Sequence, residues 1–73
     1  MSEARPDPHA LARAFARTFS GEDGQMVLAH LRRSVFERFL GPDASEAALR
    51  QQEGQRQLLT TILALSERGR SGG

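Results

Sequence analysis

Cysteine, lysine, tryptophan and tyrosine are all missing from this chain of 73 residues. Without cysteine, neither a disulfide nor a thiolate metal site can form. Imidazole is scarce too, since His9 and His30 are the only histidines and stand 21 positions apart. Apolar runs extend for only a few residues, against the ~20 that a membrane-spanning helix needs. Met1 to Pro8 carry charge and prolines in place of an apolar signal core. These absences lead to the expectation of a cytoplasmic protein with no cofactor, no metal and no membrane contact. A chain this short is one domain at most. It buries only about 60% of its unfolded surface, so stability has to come from regular helix packing, helped by self-association.

What is present is arginine and helical pattern. All ten basic residues are arginine, against nine acidic ones, for a net charge of +1. The arginine fork suits phosphate and carboxylate. A GC-rich genome produces the same bias, however, and here the acidic residues are interleaved with the arginines. A dedicated nucleic-acid surface concentrates positive charge on one face, so the compositional explanation is preferred.

Three helices are predicted, in a domain spanning 7–68 between a flexible arm at 1–6 and a disordered tail at 69–73. Asp7 is placed to cap the first helix, with Pro8 at its first position. Leu11, Phe15 and Phe19 then share one face at i, i+4 and i+8. Ser20 followed by Glu22 and Asp23 reads as the capping signal of a second helix. Val27, Leu28, Leu31, Val35 and Phe39 keep helical spacing until Gly41-Pro42 ends the run. Phe36 and Leu40 fall beside that stripe, so one of them is expected to be exposed. A third helix starts near Asp43-Ala44-Ser45-Glu46 and runs to about Arg68, with Gly69 as its stop. Its first half is polar, with Ala48 and Gln52 facing inward, and its second half carries Leu58, Leu59, Ile62, Leu63 and Leu65. Glu46–Arg50 and Arg50–Glu53 are spaced to brace its exposed side. The expected fold is all-α: a small three-helix bundle, one short helix packed on a long antiparallel helical hairpin. Phe15, Phe19, Val27, Leu28, Leu31, Val35, Leu58, Leu59 and Ile62 are its expected core.

Few features point to chemistry. His30 has no nucleophile motif around it, no glycine-rich phosphate loop follows a strand, and adjacent Glu22 and Asp23 do not face each other on a helix. A core of this size also leaves no room for a deep pocket. The expectation is a protein that is not an enzyme and has no catalytic residues. Gly24 and Gly54, inside the second and third helices, each cost about 1 kcal/mol relative to alanine. Close approach of another segment explains such glycines better than a docking surface does. Each is followed by glutamine, in Gly24-Gln25 and Gly54-Gln55-Arg56. Those glutamines suit hydrogen bonds between helices, or a polar recognition patch anchored by Arg56. Arg32 and Arg33, with Arg38 beyond, form the one dense basic cluster. It can contact phosphate, but with Glu37 among them and no adjacent aromatic a solvated face is preferred.

The runs Phe15-x-x-x-Phe19, Asp23-Gly24-Gln25-x-Val27-Leu28-x-x-Leu31 and Glu53-Gly54-Gln55-Arg56 with Leu58, Leu59 and Ile62 resemble a family of small helical phage proteins. That family, the Bbp19-like phage domain, is known from a Bordetella phage and from prophages. The resemblance covers roughly Leu11 to Ser66. The segment from Phe36 to Ala48 carries no matching motif, and Gln52 stands where the family has an acid or an aromatic. The resemblance implies a helical accessory protein encoded among phage structural and packaging genes. The resulting expectation is a phage- or prophage-derived protein acting through contacts with a phage structural or packaging component, in assembly or packaging, with or without incorporation into a phage-like particle. Its partner-binding residues would be Gln25, Arg32, Arg33, Gln55 and Arg56. The first rival is a nucleic-acid-binding protein, which requires arginines 13, 17, 32, 33 and 38 to converge. The second is a structural homodimer joined through Phe36 or Leu40.

Overall fold

Asp7 opens the first helix, α1 (Pro8–Ser20), by accepting a hydrogen bond from the Ala10 amide at 3.1 Å. The computed structural model describes residues 5–71; residues 1–4 of the expected arm and 72–73 of the expected tail lie outside them. Two further helices follow, α2 (Glu22–Phe36) and α3 (Glu46–Arg70), and no strand occurs among the described residues. The all-α three-helix reading is therefore correct. Ser45 caps α3 through the Ala48 amide at 3.1 Å, as the sequence signal predicts.

The most extensive helix pairing is α1 on α3, and α2 rests more lightly on each of the others. Small side chains create that main seam. Ala12 and Ala16 on α1 are buried, as is Ser66 on α3, whose hydroxyl bonds back to the Ile62 carbonyl at 2.9 Å. Gly69 completes the seam. A Cβ there would lie 2.6 Å from the Ala12 carbonyl carbon and 2.8 Å from the Ala16 Cβ. Gly69 is thus not the stop expected from the sequence: α3 continues through it to Arg70. Alanine and glycine bury little area, but they let two backbones come close, so each remaining atom packs against more neighbours.

Gly24 plays the same part between α1 and α2. Its hypothetical Cβ would meet Phe19 Cα at 2.6 Å and lie closer still to the Thr18 carbonyl oxygen. The expected close approach is real at this glycine, and it lets α2 turn back after one intervening residue, Gly21. Ser20 does not cap α2. It ends α1, its hydroxyl bonded to the Arg17 carbonyl at 3.4 Å, and Gly21 occupies the cap position without a side-chain bond.

The core is displaced from the expected one. Leu28 and Leu59 are buried, while Phe15, Phe19, Leu31, Val35 and Ile62 are only half-buried. Val27 and Leu58, both expected inside, are 50% and 65% exposed. The reason is the light contact between α2 and α3: apolar faces that would cover each other in a closed hairpin stand apart. On α1 the face is rotated by one position, so Ala12 and Ala16 sit inside while Leu11 lies at the surface and Phe15 stacks beside Phe19 at 6.4 Å. Phe36 and Leu40 are both half-buried, and the exposed aromatic is Phe39, at 96%. It leaves the stripe because α2 ends at Phe36, with the Glu37 amide closing on the Arg33 carbonyl. Gln52 then donates to the Arg38 carbonyl at 2.8 Å and fastens the linker to α3.

Candidate docking groove

Where α2 and α3 diverge they leave a groove of about 330 Å³. Leu31 and Val35 line it from α2, and Leu58, Leu59 and Ile62 from α3. Exposed Ser34, Arg38 and Gln55 supply polar groups among these aliphatic side chains. The groove exists because α3 carries more apolar surface than one neighbour can cover. At 100° per residue, Leu58, Leu59, Ile62, Leu63 and Leu65 spread over an arc of about 160°. With α1 seated on the small residues toward the end of α3, the Leu58 side is covered only in part, by α2.

Gly54 lies one turn before Leu58 on the same side of α3. Nothing comes within 4 Å of a Cβ placed there, so the close approach that accounts for Gly24 is absent at Gly54. Chemically the arrangement suits apolar side chains, with hydrogen-bond donors at hand for the acceptors that flank them.

The five residues expected to bind a partner fall in three places. Gln25, Arg32 and Arg33 come together along a cleft of about 270 Å³ on α2, shared with Leu28, Ala29 and Glu37. Gln25 is already engaged there, donating its side-chain amide to the Phe19 carbonyl at the end of α1. That bond satisfies a carbonyl that the helix terminus would otherwise leave unpaired. Gln55 belongs to the α2–α3 groove. Arg56 lies elsewhere, its guanidinium 5.6 Å from the centre of the Phe36 ring and 3.9 Å from the Glu53 carboxylate. Glu46 pairs with Arg50 at 3.4 Å as expected, whereas Glu53 chooses Arg56 over Arg50. The basic cluster is divided as well: Arg32 and Arg33 line the α2 cleft, and Arg38 lines the groove. The sequence places Leu31, Val35, Leu58, Leu59 and Ile62 in the core, not along an open groove. The signal available was the width of the apolar arc on α3.

No helix among the described residues is long and apolar enough to cross a membrane. No curated protein and no solved structure gives a significant match to the chain. The family model described as Bbp19-like phage protein matches residues 15–70. That span begins at Phe15 on α1 and closes on the last residue of α3, so it contains both walls of the groove as well as the glycines at 24, 54 and 69. The chain belongs to the family of Bbp19-like phage proteins.

Proposed function

We propose that this phage protein is not an enzyme and acts through protein–protein contacts in particle assembly or packaging, with the α2–α3 groove as its docking site. The observation that carries this reading is the apolar lining left open in the groove: Leu58 is 65% exposed, and Leu31, Val35 and Ile62 beside it are only half-buried. Contiguous apolar surface left open on a small protein marks an interaction site. Work of this kind takes place in the host cytoplasm, with or without later incorporation into the particle.

The test is a Leu58→Glu substitution in the phage or prophage, scored by particle yield and by co-purification with the structural and packaging proteins encoded alongside. Leu58 is largely exposed, so the variant keeps its helix content. Particle yield and co-purification should both fall. Unchanged values for both would remove the groove from the function. Binding to labelled duplex and single-stranded DNA by fluorescence anisotropy addresses the rival. Micromolar binding that weakens steeply with salt would shift the reading to nucleic acid. The division of Arg32 and Arg33 from Arg38 between two clefts speaks for the protein-contact reading.

A further inference from the structure

The α2–α3 groove continues past Arg38. A smaller recess of about 100 Å³ adjoins it, lined by Leu40 and Ala48 with Gln51 and Gln52. Arg38 and Gln55 line both recesses, so the two are continuous. Along α3 the strip runs from Gln51 through Gln55, Leu58 and Leu59 to Ile62, in steps of three or four residues that keep it on one helix face. At 1.5 Å per residue it is about 16 Å long, or three turns.

The two ends differ in chemistry. Aliphatic side chains line the end by Ile62, and the other end presents the glutamine amides with Arg38. Arg38 is the one charged residue in either lining, and among the described residues it pairs with no carboxylate. Gln52 holds the Arg38 carbonyl at 2.8 Å, which fixes the residue at the junction.

These features constrain what can lie there. A recess of about 330 Å³ stands near the lower limit of the ~300–1,000 Å³ typical of ligand pockets, so it admits a few side chains. Both walls are helices with their own backbone groups paired. An extended chain would therefore bury N–H and C=O groups without partners, whereas a helix satisfies its own. Gly54, at the edge of the strip with nothing within 4 Å of its Cβ position, leaves room for another helix to come close. Covering Arg38 removes water from a guanidinium, which calls for a carboxylate in its place.

We propose that the occupant is a short amphipathic helix of a partner protein, with aliphatic anchors on one face and an acidic residue one to two turns away. The anchors fill the recess between Leu31, Val35, Leu58 and Ile62. The carboxylate meets Arg38 beside Gln55, which precedes Leu58 and Ile62 by about 5–10 Å along α3. This rests on reading the groove as a docking site and adds the chemistry of what docks.

Two labelled alanine-based helical peptides of about 16 residues, titrated with the full chain and read by fluorescence anisotropy, test this. Both carry leucines at i, i+4 and i+7. One has a glutamate one to two turns from them, and the other has a lysine there. The glutamate peptide should bind in the micromolar range and the lysine peptide about 10-fold more weakly, because repulsion replaces attraction at a covered site. Leu58→Glu should weaken both. Arg38→Glu should reverse the preference, and Arg32→Glu, an equal charge change in the other cleft, should leave it standing. All three side chains are exposed, so the variants should keep the wild-type circular dichroism spectrum. Equal affinity for the two peptides, or binding of neither, would overturn the proposal. So would an Arg32→Glu variant that shifts the preference as far as Arg38→Glu, since general charge would then explain it. A wild-type dimer in sedimentation equilibrium that Leu58→Glu dissociates would overturn it too, because a second copy would then fill the groove. Particle yield separates the two readings. Loss of particles in Leu58→Glu, with peptides that bind equally, refutes the acidic helix alone. The expected peptide preference, with normal particles from Leu58→Glu, refutes the role of the groove in function and leaves the chemistry of its ligand standing.

Discussion

Gly69→Ala and Gly54→Ala make the same chemical change on the same helix and should shift stability in opposite directions. An alanine methyl at position 69 would overlap the Ala12 carbonyl group, with its carbon at 2.6 Å, and press on the Ala16 Cβ at 2.8 Å. Ordinary contact begins near 3.4 Å, and the Ala12 carbonyl oxygen lies nearer still than its carbon, so α1 would have to retreat by more than about 1 Å. Neither obstacle is the end of a flexible side chain; one is helix backbone and the other a buried alanine. Overpacking of this kind costs about 1–3 kcal/mol. The helix-propensity gain of alanine over glycine, up to about 1 kcal/mol in a helix interior, is smaller so near the helix end. The net is a loss of about 2 kcal/mol. A chain of this size rarely has more than about 3–5 kcal/mol in total. At about 4–8 °C per kcal/mol, Tm should fall by roughly 10 °C. At position 54 the methyl meets nothing within 4 Å, so only the propensity term acts, and stability should rise by about 0.5–1 kcal/mol. Urea and thermal unfolding followed by circular dichroism measure both. They are run at concentrations dilute enough to keep the chain monomeric, because association adds stability by mass action. A Gly69→Ala variant as stable as the wild type would refute the close crossing of α1 and α3.

Two smaller effects follow from single hydrogen bonds. Ser45→Ala removes the side-chain cap of α3 and should cost about 1 kcal/mol, read as a lower urea midpoint with unchanged slope. Gln52→Ala frees the Arg38 carbonyl, and with it the linker that carries Phe39. It should cost about 0.5–1.5 kcal/mol overall, and faster amide exchange or proteolysis should be confined to residues 37–45.

The parts of the fold legible in the sequence are those with a local cause. Asp7 and Ser45 cap because a carboxylate or hydroxyl oxygen reaches an amide three residues on, and that geometry needs no tertiary partner. Helix number follows in the same way from Pro8, the start signal at Ser20 to Asp23 and the Gly41-Pro42 break, although the residue at the α2 cap is Gly21 and not Ser20. What could not be read is which apolar face meets which. The Leu11, Phe15, Phe19 stripe is the most hydrophobic line on α1, yet the seam with α3 runs along Ala12 and Ala16. Large side chains dominate a periodicity count, whereas close packing of two helices is decided by the small ones. Gly24 and Gly54 illustrate the same limit: within a helical run they look alike, and only the position of Phe19 distinguishes a glycine required by its neighbour from one left open. The five polar residues expected to meet a partner lie in three places rather than on one surface, for a related reason. Gln25 and Arg56 carry the right chemistry for recognition, but each is engaged within its own chain, by the Phe19 carbonyl and by Phe36 with Glu53. A polar side chain on a small helical protein is surrounded by helix ends and ring faces that need it. The surface with no internal use on this chain is therefore the aliphatic lining between α2 and α3.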